Sequence, residues 1–151
     1  MATIKRIDHI GVLVDDLETT LSFWRDALGI ELAKTADVPS ESVQIAFLPV
    51  GASEIELVKP VTSDSGLARY LEKRGPGMHH LCLEVDDIQG MITRLLEHDV
   101  QMINTEPRLS KDGKKYAFVH PKSAGGVMVE LYELPRLEAD RLLLTILPGS
   151  E

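Results

Sequence analysis

The chain has 151 residues, 44% of them hydrophobic and 26% charged, which is the composition of one globular domain with a proper core. Its formal net charge of -8 excludes the basic surface of a nucleic-acid binder and argues against docking on anionic lipid. The single cysteine, Cys82, allows neither an internal disulfide nor a cysteine-based zinc site. No apolar run resembles a signal segment or a membrane span, so we expect a cytoplasmic protein.

The first half of the chain predicts the element order β-α-β-β-β. "RIDHIGVLV" has the β-branched and apolar residues of a strand, and Asp15 or Asp16 then caps a helix, "LETTLSFWRDALG", that ends at Gly29. Three strands follow, one at about residues 30–34 and then "VQIAFLPVG" and "SEIELVKP", joined by a turn near Gly51. A short helix, "SGLARYLEKRG", leads into the second half.

The second half predicts the same order again. "HHLCLEV" is a strand, and a helix runs from Asp87 to about His98. A short strand near residues 100–103 is followed by "KYAFVHP" and "GVMVELYEL". Both halves are therefore predicted to be β-α-β-β-β modules.

The two halves also align residue by residue. A shift of 71 positions matches these identical pairs: His9 and His80, Val14 and Val85, Asp15 and Asp86, Asp16 and Asp87, Ala46 and Ala117, Phe47 and Phe118. Near the end of each half the shift becomes 74, which pairs Glu56 with Glu130. The change predicts a three-residue insertion, for which "HPKSAGG" is the natural place. An internal repeat of this kind determines the fold.

We therefore predict an α+β fold in which two tandem βαβββ modules form a cupped mixed sheet around a metal site. Residues 1–151 make one domain, with module one at about 4–62, a linker helix at about 63–75 and module two at about 77–134. The C-terminal extension, 135–151, is rich in leucine, and we expect it to pack on the barrel or on a neighbouring subunit.

Four residues of metal-binding types recur in the repeat: His9, Glu56, His80 and Glu130. Strand alternation lets all four face one side while their apolar neighbours face the helices. A single strand histidine or glutamate is more often structural, but recurrence in a diverged copy favours a metal site. The repeat selects His80 rather than His79, which aligns with Asp8 and is expected to have a supporting or structural role. Two imidazoles and two carboxylates suit Co, Mn, Ni or Zn better than Ca.

Several phrases resemble the methylmalonyl-CoA epimerase family of the vicinal oxygen chelate (glyoxalase/bleomycin resistance/dioxygenase) superfamily. They are "DHIGVLV", "AFLPVGASEIELVKP", "YLEKRGPGMHHLCLEVDDI" and "FVHPKSAGGVMVELYE", and they cover about residues 5–134. The resemblance implies paired βαβββ modules around one divalent metal ion, with Co²⁺ expected first and Mn²⁺, Ni²⁺ or Zn²⁺ as alternatives. It also implies interconversion of (2R)- and (2S)-methylmalonyl-CoA by proton abstraction at C2 through a metal-stabilised enolate.

The resemblance further implies that Glu130 is both a metal ligand and the catalytic base. The family's second carboxylate, on the opposite side of the substrate, is replaced here by Gln44. Because an amide cannot accept and return a proton, Gln44 either orients a water or substrate oxygen, or leaves the second role to another group. Lys115, the repeat partner of Gln44, and Glu54 are alternatives.

An acidic protein that binds coenzyme A needs a local patch of cations for the phosphates. Five basic residues follow one another near one predicted pocket edge: Arg108, Lys111, Lys114, Lys115 and Lys122. We expect Lys115 and Lys122 to contact the acyl-CoA substrate, although loop lysines are more often only solvated. A homodimer is also expected.

Three other functions stay open on the same fold. A glyoxalase I-type lactoylglutathione lyase could use the same two-histidine, two-glutamate set. A metal-dependent drug-resistance or binding protein is the second alternative, since four intact ligand positions argue only against a metal-free form. A dioxygenase is less expected, because a fourth protein ligand would occupy a position needed for substrate or oxygen.

Overall fold

The computed structural model describes residues 1–135, which form two compact units. The first unit is Ile7–Cys82, and the second unit joins Met1–Arg6 to the residues that follow Cys82. None of the helices in the described part of the chain is long and apolar enough to cross a membrane. The predicted packing of the Leu-rich extension concerns residues that, apart from Pro135, lie outside the described part.

The described residues include eight strands and three α-helices. The strands are β1 Ile4–Leu13, β2 Lys34–Val38, β3 Val43–Val50, β4 Ser53–Pro60, β5 Gly77–Val85, β6 Arg108–Leu109, β7 Lys115–Val119 and β8 Met128–Glu133. The helices are α1 Leu17–Leu21, α2 Gly66–Arg74 and α3 Ile88–Glu97, with a π-helical segment, Ser22–Ala27, directly after α1. Strands β1 and β5 contribute residues to both units.

In the first unit the strands lie in the order β2-β3-β4-β1. β2 and β4 are antiparallel to β3, and β1 is parallel to β4. Helix α1 covers one face through a core of six buried residues: Val14, Leu17, Leu21, Ala46, Leu48 and Leu57. Helix α2 packs against Leu13, Val43 and Val58 through Leu67, Tyr70 and Leu71. Each face of this sheet is thus at least partly covered by a helix.

The first helix begins and ends as its sequence predicts. Asp16 has an extended backbone and accepts a hydrogen bond from the Thr19 N–H, so it caps the N-terminus. Gly29 follows the π-helical segment with φ of +85°, a conformation that favours glycine. Helix α2 is likewise capped by Ser65 and α3 by Asp87, which confirms the predicted starts of all three helices.

The second unit repeats the first. Strands β8, β7 and β6 pair in that order, both pairs antiparallel, and α3 packs on β7 and β8. Its core holds the partners of the first unit's six core residues, 71 or 74 positions later: Val85, Ile88, Ile92, Ala117, Val119 and Leu131. The duplication predicted from sequence is confirmed at the level of side-chain packing.

Strand register confirms the predicted insertion. Glu56 on β4 lies opposite Phe47 on β3, and Glu130 on β8 lies opposite Phe118 on β7. The pairing on both sides of the insertion is the same in the two units, so the three extra residues must lie in the turn between β7 and β8. A 3₁₀ turn, Pro121–Ser123, lies within this connection.

Two predicted strands were wrong in position. Residues 30–34 pack as an irregular segment through Ile30 and Leu32, and the strand that pairs with β3 begins only at Lys34. Residues 100–103 contain one isolated bridge, from Met102 to Val119, and the short strand of this region is Arg108–Leu109. In both places apolar side chains fill the core, while the backbone makes only one or two hydrogen bonds to the neighbouring strand. An apolar sequence pattern does not distinguish such a segment from a regular strand.

Candidate metal centre

Two histidines of the first unit, one from β1 and one from β5, face each other. Nε2 of His9 lies 3.0 Å from Nε2 of His80, and the ring centroids are 5.1 Å apart with an angle of 87° between the planes. Both side chains are partly buried. The structure thus brings together the two histidines that the repeat singles out.

Gly11 provides the space that His80 occupies. An alanine Cβ at position 11 would lie 2.0 Å from Cε1 of His80 and 2.3 Å from its Nδ1, far inside van der Waals contact. A glycine inside a strand is often a sign of such close approach, which is the signal that could have identified Gly11 from sequence. Its repeat partner, 71 positions later, is the buried Cys82.

The other ring nitrogen of His9 lies between two carboxylates. Its Nδ1 is 2.7 Å from Oδ2 of Asp8 and 2.9 Å from Oε2 of Glu56. Ionised carboxylates only accept hydrogen bonds, so the hydrogen of a neutral His9 belongs on Nδ1. The lone pair is then on Nε2, the atom that faces His80.

The environment of His80 keeps its imidazole neutral. Burial lowers the pKa of His80 to about 4, with further contributions from His9 and His79 beside it. Its Nδ1 lies 3.0 Å from Nδ1 of His79, whose pKa is also lowered by burial. The His79 ring meets the Tyr70 ring of α2 edge to face, with centroids 5.0 Å apart. His79 therefore contacts the candidate ligand His80 and anchors against α2.

The distance between the two Nε2 atoms fits two ligands of one metal ion. Nitrogens at about 2.1 Å from an ion lie about 3.0 Å apart when the angle between them is 90°, and about 3.4 Å apart at a tetrahedral angle. The observed distance of 3.0 Å would allow both nitrogens to bind one ion. The chemistry agrees, because neutral imidazole is the ligating form of histidine.

A third carboxylate makes the surroundings of His9 negative. Glu54, which pairs with His9 across β1 and β4, has its pKa raised by burial and then by Glu56 and Asp8. The carboxylates are thus close enough to disfavour one another's charge, and a cation would relieve this. Asp8, His9 and Cys82 also present ligand atoms within 4.8 Å of one another, but this group shares His9 and is not a separate site.

Strand register places Gln44 away from Glu56. Gln44 lies opposite Lys59 and shares its strand face with Ala46, which packs on α1. Glu56 lies opposite Phe47, whose face of β3 also carries Ile45. This placement argues against the catalytic role predicted for Gln44, because a substrate on the Glu56 side would meet only apolar β3 side chains.

The remaining predicted residues belong to the second unit. Glu130 has the strand position that Glu56 has in the first unit. Lys115 is exposed, lies opposite Glu133 with 3.9 Å between Nζ and Oε2, and shares the strand face of Ala117 rather than that of Glu130. With Arg108 it lines an open cavity of about 320 Å³ at the start of α3.

The other predicted cations do not gather at that cavity. Lys111 and Lys122 are exposed, and Lys114 lies over the ring of Tyr132, 5.4 Å from its centroid. Only Arg108 and Lys115 of the five line the cavity.

The sequence analysis missed a buried polar cluster in the second unit. Glu84 is 3% exposed, and its carboxylate accepts a hydrogen bond of 2.9 Å from Nε of Arg6. The Tyr132 hydroxyl donates a hydrogen bond to Oε1 of Glu84 at 3.4 Å and accepts one from Nη2 of Arg6 at 3.1 Å. The first-unit counterparts of Glu84 and Tyr132 are Leu13 and Val58, both in its apolar core, and this contrast was the available signal.

Comparisons with known proteins agree with this architecture. "Methylmalonyl-CoA epimerase, mitochondrial" of Mus musculus is 38% identical over 127 residues, 83% of this chain and 71% of the mouse chain. "Ethylmalonyl-CoA/methylmalonyl-CoA epimerase" of Cereibacter sphaeroides is 35% identical over 133 residues, 87% of this chain and 99% of that one.

Among solved structures, "Methylmalonyl-CoA epimerase in complex with methylmalonyl-CoA and NH4+" superposes with a TM-score of 0.76 at 31% identity. The match covers 89% of this chain and 97% of the other. These similarities confirm the predicted fold class and the predicted resemblance to methylmalonyl-CoA epimerases. Residues 8–118 match the profile of the Glyoxalase/Bleomycin resistance protein/Dioxygenase superfamily, and the chain belongs to that superfamily.

Proposed function

We propose that the protein is a methylmalonyl-CoA epimerase. The observation that carries this proposal is the structural match, over 89% of the chain, to an epimerase described as bound to methylmalonyl-CoA. Epimerase relatives at 35–38% identity support it independently. The reaction interconverts the (2R) and (2S) forms of the substrate by moving a proton at C2.

We propose that His9, Glu56, His80 and Glu130 hold a divalent metal ion. The 3.0 Å separation of the two Nε2 atoms supports the histidine pair. Glu56 contacts His9 Nδ1, but that nitrogen carries one hydrogen and Asp8 already accepts it at 2.7 Å. Glu56 can therefore turn to a metal ion without leaving His9 unpaired.

The part played by Glu130 in this proposal comes from the repeat. Glu130 lies opposite Phe118 as Glu56 lies opposite Phe47, so the duplicated strands offer a carboxylate at equivalent positions. The mixed nitrogen and oxygen set suits Co²⁺ best in our proposal, with Mn²⁺, Ni²⁺ or Zn²⁺ as alternatives.

The chemistry requires a base and a way to hold charge on oxygen. The C2 hydrogen lies between a thioester and a carboxylate, so its removal gives an enolate whose charge resides on oxygen. A bound divalent cation supplies positive charge where that oxygen charge develops. We propose that Glu130 removes the C2 proton from one epimer and delivers a proton to that same face in the reverse reaction, while a second group acts on the opposite face. Gln44 lies on the other face of β3 from Phe47, so the second face of C2 is served by another group.

The acyl-CoA phosphates need cations, and we propose that Lys115 and Lys122 supply part of this attraction. Both are exposed, and Lys115 has Arg108 beside it in the cavity. The double variant Lys115→Ala/Lys122→Ala should raise KM for methylmalonyl-CoA. Methylmalonyl-pantetheine, which lacks the nucleotide phosphates, provides the control, since its KM should not change. Equal changes for both substrates would refute the phosphate contact.

The direct test of the proposed function is deuterium exchange. Protein reconstituted with Co²⁺ is incubated with methylmalonyl-CoA in D₂O, and mass spectrometry follows deuterium at C2. A lactoylglutathione lyase assay runs beside it, since the same ligand set could serve that reaction. Exchange without lyase activity supports the epimerase, whereas lyase activity without exchange refutes it. The homodimer and the cytoplasmic location stay predictions, and light scattering of the purified protein tests the dimer.

A further inference from the structure

His80 has a hydrogen-bond choice that decides whether it can bind a metal ion. Its Nε2 faces Nε2 of His9 at 3.0 Å, and its Nδ1 faces Nδ1 of His79 at 3.0 Å. A neutral imidazole carries one hydrogen, on one nitrogen or the other. Only the form with the hydrogen on Nδ1 has a lone pair on Nε2. The group that contacts Nδ1 therefore controls the ligating atom.

A different residue type contacts the Nδ1 of His9. Asp8 precedes His9 and lies 2.7 Å from its Nδ1, and a shift of 71 positions aligns Asp8 with His79. In both copies the residue before the ligand histidine contacts the Nδ1 of that ligand. An ionised carboxylate and the unprotonated nitrogen of a neutral imidazole both accept a hydrogen bond.

Helix α2 fixes the ring of His79. Tyr70 meets that ring edge to face at 5.0 Å and an angle of 87°. Tyr70 itself packs on the core of Leu13, Val43 and Val58, and the Arg74 guanidinium lies 5.1 Å from its ring centroid. A side chain anchored in this way has little freedom to turn its Nδ1 away from His80.

We propose that His79 is a positioning residue that accepts the Nδ1 hydrogen of His80 and so presents the Nε2 lone pair of His80 to a divalent cation. The inference rests on the proposed function in that it takes His80 as a metal ligand. It extends that function by giving the first histidine of the "HH" pair a specific task.

The first test reads the tautomer in the metal-free protein. Long-range ¹H–¹⁵N correlation spectra distinguish protonated from unprotonated ring nitrogens, and the spectrum of His80→Asn identifies the His80 signals. Wild type should show His80 protonated on Nδ1 and His79 unprotonated on Nδ1. In His79→Phe, which keeps a ring against Tyr70 but has no acceptor, the His80 hydrogen should shift to Nε2. An unchanged His80 tautomer in His79→Phe would overturn the proposal.

The second test measures metal affinity rather than activity. Competition between the whole protein and a chromophoric chelator gives the dissociation constant for Co²⁺. Loss of a group that orients a ligand histidine costs about 10–100-fold in affinity, so we expect that loss for His79→Phe. His79→Asn places an amide oxygen near the position of Nδ1 and should restore most of the affinity. If His79→Asn loses as much as His79→Phe while melting like wild type, His79 has no such role.

Failure of this inference is distinguishable from failure of the proposed function. A His79-dependent tautomer and cobalt affinity in a protein that does not exchange C2 would refute the epimerase and keep the role of His79. Normal C2 exchange with an unchanged His80 tautomer in His79→Phe would support the epimerase and refute the role of His79. Should His79→Phe not fold, the wild-type spectrum and His79→Asn still decide, because His80 protonated on Nε2 in wild type contradicts the proposal.

Discussion

At the scale of single residues, the geometry of the candidate metal centre depends on the two ring nitrogens of each imidazole. Both histidines turn Nε2 toward the other and Nδ1 toward the residue that precedes them in the chain. If both Nδ1 atoms carry the hydrogens, the two Nε2 lone pairs point at each other and repel. A cation between them converts this repulsion into two coordinate bonds, which is the physical reason to expect a metal ion at this point.

Gly11→Ala should damage metal binding more than it damages the fold. The new Cβ would lie 2.0 Å from Cε1 of His80, so the imidazole ring must move, and its displacement takes Nε2 from its place opposite His9. Overpacking of this kind costs about 1–3 kcal/mol of folding free energy. Cobalt titration should show a large loss of affinity, while thermal unfolding shows a moderate fall in Tm.

Gly66→Ala is the matched control for that substitution. Gly66 is the first residue of α2, and beyond its chain neighbours and the backbone of its own helix no atom lies within 4 Å of a Cβ placed there. An alanine at this helical position should leave cobalt affinity unchanged and stability equal or slightly higher. If both alanine variants bind cobalt like wild type, the close packing of His80 on Gly11 does not matter for the centre.

Gln44→Leu should leave the epimerase rate within about twofold of wild type, because substitutions away from a site change free energies by about 0.5 kcal/mol or less. The reason is strand geometry, since Gln44 shares its face with Ala46 and not with Phe47. Glu56→Leu, on the other face, is the comparison, and because it removes a proposed ligand oxygen it should lose both metal and activity. A large loss of turnover in Gln44→Leu with full metal content would restore a catalytic role for Gln44.

The sequence identified His9 and His80 because recurrence at one spacing is visible without a structure. It could not identify the Nδ1 contacts of Asp8 and His79, because adjacent strand residues are expected on opposite faces. The strand face of Gln44 could not be predicted for a related reason. Moving an alignment by one residue exchanges the two faces of a strand, and only the pairing of Gln44 with Lys59 shows which face it has.

At the scale of elements, acid should weaken the start of α1 through its cap. The Thr19 hydroxyl and the Thr19 N–H both donate to Asp16 and lower the pKa of its carboxyl below 3.8. The unfolded chain therefore binds the proton more readily than the folded chain. The stabilisation is complete above pH 3.8 and is lost as the pH falls through the lower folded pKa.

Thermal unfolding between pH 2 and 5 measures this effect. Asp16→Asn keeps a capping side chain but removes the titrating group, so its Tm should fall less steeply with acid than that of wild type. Asp16→Ala should have a lower Tm than wild type at neutral pH. Parallel curves for wild type and Asp16→Asn would mean that this cap does not contribute to the acid response.

Elements were predictable where caps and periodicity agree, as at Asp16, Ser65 and Asp87. They were not predictable where an apolar run packs without pairing. Leu32 contributes to the core while its segment makes no strand, so apolar pattern alone placed β2 too early. The site of the insertion was predictable because the residues on both sides of it keep their repeat partners.

At the scale of the whole molecule, duplication has preserved the helix-facing cores and changed the other strand faces. Leu21 and Ile92 are both fully buried partners in the two cores, whereas Leu13 in the first unit corresponds to Glu84 in the second. A hydrophobic core is needed by each copy, so its positions are constrained in both. The opposite faces keep the candidate ligand pairs His9/His80 and Glu56/Glu130 but differ at other positions, such as Leu13 and Glu84. That the chain forms one domain of two modules stays a prediction.

A metal ion that binds only the native state should stabilise the protein against unfolding. A ligand at about 100 times its dissociation constant, bound only by the native state, adds about 2.7 kcal/mol. For a chain of this length that corresponds to a rise in Tm of about 5–10 °C. We expect this rise when Co²⁺ is added to chelator-treated protein, and a smaller or no rise with Ca²⁺, which prefers oxygen ligands. His80→Ala should show no rise with either ion, and a cobalt-dependent rise that persists in His80→Ala would place the ion elsewhere.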